Sequence, residues 1–252
     1  MIDKKSAIAA KDLEIAYGNV VIQRDLNFTV NSGEIFVLMG GSGCGKTTVM
    51  RCLTGLKAPA KGQVYLGSVS VWEADQKTKD QLAHKIGIVY QSGALWSSMT
   101  LAENVELPLG EFTDLKPDEI RELASLKLAL VGLSGFEDYF PSEISGGMKK
   151  RAGVARALAL DPDFLFFDEP SAGLDPITSS RLDDLILELR DSLGTTMVLV
   201  THELPSIFAV ADSCIYLDAQ THTMIAAGDP RRLRDECENP KVRAFLTRGE
   251  KK

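Results

Sequence analysis

The run Gly40-Gly41-Ser42-Gly43-Cys44-Gly45-Lys46-Thr47-Thr48 has the make-up of a loop that holds a polyphosphate. It satisfies G-x-x-x-x-G-K-[ST], follows the apolar run Ile35-Phe36-Val37-Leu38-Met39, and precedes the helix-compatible run Val49-Met50-Arg51-Cys52-Leu53. A triphosphate is a dense anion. Backbone N–H groups converge on it best where glycines let the chain bend without Cβ clashes. A helix beginning near Gly45 adds its positive N-terminal end. Lys46 is then expected to reach the β- and γ-phosphates of ATP or GTP, and the Thr47 hydroxyl to ligate Mg²⁺. Gly40, Gly41, Ser42, Gly43, Cys44, Gly45 and Thr48 form the rest of the cradle. Cys44 is either a site where oxidation blocks binding or a passive small residue.

Phe164-Leu165-Phe166-Phe167-Asp168-Glu169 supplies a second half. Four apolar residues bury a strand and leave two acids at its C-terminal end, where ligands of open α/β sheets sit. Asp168 is expected to hold Mg²⁺ through water, and Glu169 to polarise an attacking water as general base.

These groups need a scaffold, and the pattern describes one. Leu13-Glu14-Ile15-Ala16-Tyr17, Val20-Val21-Ile22 and Leu26-Asn27-Phe28-Thr29-Val30 read as strands, with turns at Gly18-Asn19 and Asn31-Ser32-Gly33. An antiparallel β region thus leads into the phosphate loop. Tyr17, an aromatic before a turn, either stacks on the adenine ring or packs. Short strands follow near 62–71, and an apolar strand over 86–90 reads as buried between helices. Residues 92–160 read as a mostly helical insertion, with Leu123, Leu126, Leu130 and Leu133 at helical spacing and a helix start at Pro117-Asp118-Glu119. The core resumes with strand 164–168, a helix over 177–193 capped at Gly194, strand 196–200, a short helix, and strands near 213–218 and 223–228. Alternation of strands and helices predicts a largely parallel sheet. The predicted division is a nucleotide-binding core over 1–91 and 161–228, a helical subdomain over 92–160, and a basic helical tail over 229–252.

Bulk properties narrow the class. The 252 residues are 44% hydrophobic and 25% charged, ordinary globular values. A net charge of −7 argues against nucleic acid as the main partner. Residues 229–252 carry eight Lys/Arg against five Asp/Glu, so the tail is locally basic. Four cysteines (Cys44, Cys52, Cys214, Cys237) show no metal-ligand spacing and suit a reducing compartment. The start lacks the apolar core of a signal peptide, and no run approaches a membrane span. These features predict a cytoplasmic protein whose link to a membrane runs through a partner.

Ile144-Ser145-Gly146-Gly147-Met148, before a helical run, resembles the Leu-Ser-Gly-Gly-Gln signature of ATP-binding cassette (ABC) ATPases. Further elements of that family stand in the right order. Tyr17 falls at the adenine-stacking aromatic, and Gln91 at the Q-loop glutamine that touches Mg²⁺ or the attacking water. Ser171-Ala172-Gly173-Leu174-Asp175 is similar to the D-loop, and His202 to the switch histidine on the γ-phosphate. The resemblance implies an α/β P-loop NTPase core with an N-terminal antiparallel β region and a helical ABC-specific subdomain. It implies a head-to-tail homodimer in which Ser145, Gly146 and Gly147 of one copy meet the ATP held by Lys46 of the other, with Asp175 beside them. Met148 departs from the usual glutamine and Ile144 from the usual leucine; the small residues that approach the phosphate are kept. The cations Lys149-Lys150-Arg151 read as a solvated helix face, which in this family also lies near the ATP.

Met148 after the two glycines and Asp175-Pro176-Ile177-Thr178 after the D-loop resemble the ATPase subunits of Mla-type phospholipid transporters. The ending, Asp229-Pro230 through Pro240-Lys241-Val242-Arg243-Ala244-Phe245-Leu246, is similar as well. Such systems pair the ATPase with a MlaE-type permease, an MCE lipid-binding protein and, in some arrangements, a small regulatory subunit. The implied place is the cytoplasmic face of the inner membrane, with the Q-loop at Gln91 and residues 93–102 forming the groove for the permease's coupling helix. Trp96 belongs either to that contact or to the core. The rival expectation is an ABC ATPase serving an assembly machine such as iron–sulfur cluster biogenesis.

Overall fold

The computed structural model describes residues 6–247; the predicted features of the first five and last five residues lie outside that span. In chain order the elements are β1 (Ser6–Tyr17), β2 (Val20–Asn31), β3 (Ile35–Gly40), α1 (Lys46–Leu53), β4 (Lys61–Leu66), β5 (Val69–Ser70), α2 (Gln76–His84) and β6 (Ile86–Val89). There follow α3 (Leu101–Phe112), α4 (Pro117–Leu130), a 3-10 turn (Pro141–Glu143), α5 (Gly146–Ala157), β7 (Phe164–Asp168), α6 (Pro176–Leu193), β8 (Thr196–Val200) and α7 (Leu204–Val210). The chain closes with β9 (Ser213–Asp218), β10 (Thr223–Gly228), α8 (Pro230–Glu236) and α9 (Pro240–Leu246).

Two sheets result. The first is antiparallel, in the order β2-β1-β4-β5, and the second runs β10-β9-β3-β8-β7-β6. In the second, β9, β3, β8, β7 and β6 are parallel and β10 is an antiparallel edge. The α/β class with an N-terminal antiparallel sheet and a helical segment between β6 and β7 is as expected. Strand alternation sets the layers. Phe36 and Leu38 of β3 face the antiparallel sheet and α1, whereas Ile35, Val37 and Met39 face the helical side. Both faces of β3 are covered, so all six of its residues are buried. Phe28 and Phe36 stack at 5.3 Å, joining the two sheets.

Four local expectations change. The segments around Val21 and Phe28 form one strand, because a register shift is absorbed at Asp25, whose φ is 54°. The strand at 86–90 is an edge of the large sheet, paired with β7 alone. The helix α2 was not anticipated, since Leu82 is its one buried residue and leaves no periodic signal; Asp75 caps it by accepting from the Thr78 N–H at 2.8 Å. In α4 the buried face is Ala124, Lys127 and Leu128, and Leu126 and Leu130 of the leucine stripe are exposed.

Candidate functional site

The loop between β3 and α1 is built where side chains are forbidden. Gly40 has φ 147°, and a Cβ there would meet the Leu217 carbonyl oxygen at 2.4 Å. Gly45, the N-cap of α1, has φ 96°, and its Cβ would meet the Ile22 methyl at 2.5 Å. No side chain caps α1 and no acid lies in its first turn, which leaves its N–H groups for an anion. Lys46 is only 8% exposed. Its Nζ donates to the carbonyls of Gly40 (3.0 Å) and Gly41 (3.2 Å) and lies 3.9 Å from Glu169 Oε1. The ammonium is thus held at the loop by carbonyls that a stronger anion can outcompete. Cys44 turns into the core, where burial pushes its thiol pKa up against the opposing pull of Lys46. It is the passive small residue of the two readings.

The acids reach this loop from the end of β7, which β8 separates from β3. Asp168 Oδ1 accepts from Thr47 Oγ1 at 2.8 Å. A hydroxyl beside a carboxylate is the hard-oxygen pair that Mg²⁺ takes together with phosphate oxygens and water. Glu169, with φ 50°, donates its N–H to Val200 O at 2.8 Å. The register pairs Asp168 with Val200, so His202, two residues beyond β8, arrives beside Glu169. His202 Nδ1 lies 2.9 Å from Glu169 Oε1. The other oxygen, Oε2, is buried without a hydrogen-bond partner among the described residues. Gly40, Gly41, Ser42, Gly43, Gly45, Lys46, Thr47 and Thr48, together with Glu169 and His202, line a cavity of 570 Å³.

Other predicted site residues stand elsewhere. Tyr17 does not line this cavity; it is exposed, with the Lys57 ammonium 4.8 Å over its ring. Gln91 is exposed in the turn after β6. Ser145 is the N-cap of α5, its Oγ accepting from the Met148 N–H at 3.3 Å, and Gly146 is exposed beside it. Asp175 caps α6 through the N–H groups of Ile177 (3.0 Å) and Thr178 (3.1 Å), and the Thr178 contacts hold its carboxyl below the usual range. Within one chain the signature therefore does not reach the phosphate loop.

Several residues were missed. Lys150 is buried, not solvated, and donates to the carbonyls of Ala172 (3.0 Å) and Glu169 (3.4 Å); burial pushes its pKa down. It ties α5 to the loop after β7. Gln23 and Phe245 also border the site, the first through the Cys44 carbonyl (2.7 Å) and the second as part of the cavity wall.

Sequence and structure comparisons place this arrangement. A family model described as "ABC transporter" matches residues 23–172. The chain is 38% identical over 240 residues to "Probable ribonucleotide transport ATP-binding protein mkl" of Mycobacterium bovis, covering 95% of this chain and 66% of that protein. It is 37% identical over 236 residues to "Intermembrane phospholipid transport system ATP-binding protein MlaF" of Escherichia coli, covering 94% of this chain and 87% of that one. Among solved structures, cbiO1 of Clostridium perfringens, part of the ABC transporter complex cbiONQ, superposes with a TM-score of 0.84 at 26% identity. That match covers 93% of this chain and 92% of cbiO1. A dimeric ATP-binding cassette in a post-hydrolysis state with ADP and Pi gives a TM-score of 0.79 at 29% identity, over 88% of this chain and 98% of that one.

Proposed function

This chain belongs to the ABC transporter family of ATP-binding proteins, and we propose that it hydrolyses ATP to power phospholipid transport between bacterial inner and outer membranes. The observation that carries the ATPase reading is Glu169, whose Oε1 lies 2.9 Å from His202 Nδ1 and 3.9 Å from Lys46 Nζ in the wall of the phosphate-loop cavity. The substrate reading is supported by the identity with MlaF across most of that protein's length.

In this reading the loop glycines and the α1 N-terminus bind the phosphates, with Ser42, Cys44 and Thr48 contributing backbone N–H groups. Lys46 leaves its two carbonyls for the β- and γ-phosphates. Thr47 and Asp168 hold Mg²⁺, with Gln91 approaching on closure; the metal supplies charge neutralisation of the phosphates when bound. Glu169 takes the proton of the attacking water, and His202 orients Glu169 and contacts the γ-phosphate. Tyr17 stacks on the adenine. Ser145 and Gly146, exposed at the α5 N-terminus, and the half-buried Gly147 serve the ATP of a second copy, with Asp175 at the seam. Two copies thus close around two ATP and reopen after hydrolysis.

The proposed division is a core over 1–91 and 161–228, a helical subdomain over 92–160 and a tail from 229. Among the described residues no helix is long and apolar enough to cross a membrane. A cavity of 600 Å³ lined by Ile88, Trp96, Leu107, Pro108, Phe112 and Leu160 offers a largely apolar groove between α2, β6 and α3. It suits the coupling helix of a MlaE-type permease and would place the ATPase on the cytoplasmic face of the inner membrane. An MCE protein and a small regulatory subunit complete the proposed assembly.

The test is to purify a tagged Glu169→Gln chain from native membranes and identify the co-purifying proteins and lipids by mass spectrometry. A multispanning permease with an MCE protein and phospholipid is expected. Recovery only from the soluble fraction with an assembly scaffold would keep the ATPase and remove the transport.

A further inference from the structure

Gln23 lies wholly inside the protein, in the middle of β2. Burying an amide is unfavourable unless its groups are paired, and an apolar residue would fill the same space. The side chain here uses its two N–H donors and leaves its acceptor idle. Nε2 donates to Cys44 O in the phosphate loop at 2.7 Å and to Asp218 O at the end of β9 at 3.2 Å. Oε1 has no partner among the described residues. The value of the glutamine therefore lies in bridging two backbone carbonyls.

The first of those carbonyls matters to anion binding. A trans peptide is planar, so a Cys44 C=O held on Gln23 fixes the Gly45 N–H in the opposite direction, away from the glutamine. That N–H belongs to the N-cap of α1, in the stretch that lines the phosphate cavity. Loss of the tether frees this peptide to rotate.

The second carbonyl leads to the tail. The Asp218 carboxylate accepts from Lys241 Nζ of α9, 3.1 Å from each oxygen, and from Thr221 N at 2.9 Å. Phe245, one turn further along α9, packs edge-on against Tyr216 at 5.2 Å and forms part of the cavity wall. Asp218 thus joins the two ends, its carboxylate held by Lys241 and its main-chain carbonyl by Gln23, which in turn holds the loop.

We infer that Gln23 is a positioning residue for the phosphate loop and that docking of α9 on Asp218 sets the loop's affinity for nucleotide through it. This rests on the reading of the cavity as the ATP site.

The test uses the full-length chain with Gln23→Met, which keeps the shape and removes both donors, and Lys241→Met. ATP turnover, the Kd of a fluorescent ADP analogue and unfolding without nucleotide are measured on each. For Gln23→Met, losing the hydrogen bond that positions the Cys44–Gly45 peptide predicts KM and Kd raised about five- to tenfold and kcat changed less than KM, while the second lost bond, to Asp218 O, lowers Tm by a few degrees. Lys241→Met should move Kd in the same direction by about two- to threefold, and the double variant should fall short of the product of the two single effects. An unchanged Kd in a folded Gln23→Met protein overturns the inference, as does a Kd change that merely tracks a fall in Tm. Should Gln23→Met not fold, an unchanged Kd for Lys241→Met overturns the coupling to the tail. Wild-type protein that bound no nucleotide would instead remove the ATP site itself, a separate failure.

Discussion

Glu169 Oε1 and His202 Nδ1 stand 2.9 Å apart because β7 and β8 are adjacent and in a register that pairs Asp168 with Val200. Each residue begins just past the end of its strand. The contact aims Oε1 at the imidazole, on the side where Lys46 Nζ stands 3.9 Å away, and leaves Oε2 buried without a partner among the described residues.

Replacing that carboxylate by its amide tests the base directly. Glu169→Gln keeps the shape and the contact with His202 but cannot take a proton. Turnover should fall by about 10²–10⁴, the usual contribution of a positioned general base, with ATP binding retained and the closed dimer accumulating. Single-turnover phosphate release, beside nucleotide retention and light scattering, reads both effects. Wild-type turnover in this variant would take Glu169 out of the base role.

His202 is half-exposed, so its removal opens no cavity in the core. His202→Ala should slow hydrolysis by about tenfold or more through loss of Glu169 orientation, with a shift in Tm of no more than a few degrees. A steady-state ATPase assay against a melting curve separates the two. An unaffected rate would reduce the histidine to a surface residue.

The phosphate loop and the acid pair were legible because each is one contiguous run flanked by an apolar strand. Gln23 was not, and the reason is a change of parity. Leu26, Phe28 and Val30 place the even positions of β2 inward, which would send Gln23 to the outer face. The bulge at Asp25 reverses the alternation and turns Gln23 inside. Lys150 was hidden differently, in a row of three cations whose middle member packs under the loop after β7. Phe245 reaches the cavity only because α9 folds back onto β9, a contact set by topology that no local pattern announces. The signature and the phosphate loop were both readable, yet they lie apart within one chain, as a site shared between two copies requires.

Trp96 separates coupling from hydrolysis. The residue is 57% exposed, and its backbone is held by Asn104, which accepts from Trp96 N at 2.7 Å and donates to Trp96 O at 3.1 Å. The ring is therefore displayed on the apolar groove by a fixed backbone. Trp96→Ala should lower transport by about fivefold or more in a reconstituted complex, as loss of an anchoring aromatic does at an interface. Basal ATPase activity of the isolated chain should change by less than about twofold, in line with a surface substitution. Equal loss of both activities would assign the ring to packing.

Asp183 carries a pH signature of the fold. It lies on α6, buried against α7, where Ser206 Oγ donates to its Oδ2 at 2.9 Å. Burial pushes its pKa up to about 6; the Ser206 hydrogen bond opposes this and the neighbouring Asp184 adds to it. In the unfolded chain an aspartate titrates near 3.9, as ~3.9 is its usual value. The folded state therefore binds the proton more tightly. The associated stability is complete below about pH 4 and is lost as pH rises through about 6, amounting to roughly 2–3 kcal/mol by linkage. Asp183→Asn stays neutral at every pH and still offers Ser206 an oxygen. The variant should melt higher than wild type at pH 8, by about 4–12 °C, and near wild type at pH 4. Carboxylates other than the adjacent Asp184 titrate alike in both proteins, so the difference in Tm across the range reports on Asp183 and its coupling to that neighbour. A gain no larger at pH 8 than at pH 4 would show that the carboxyl is not held protonated by the α6–α7 contact.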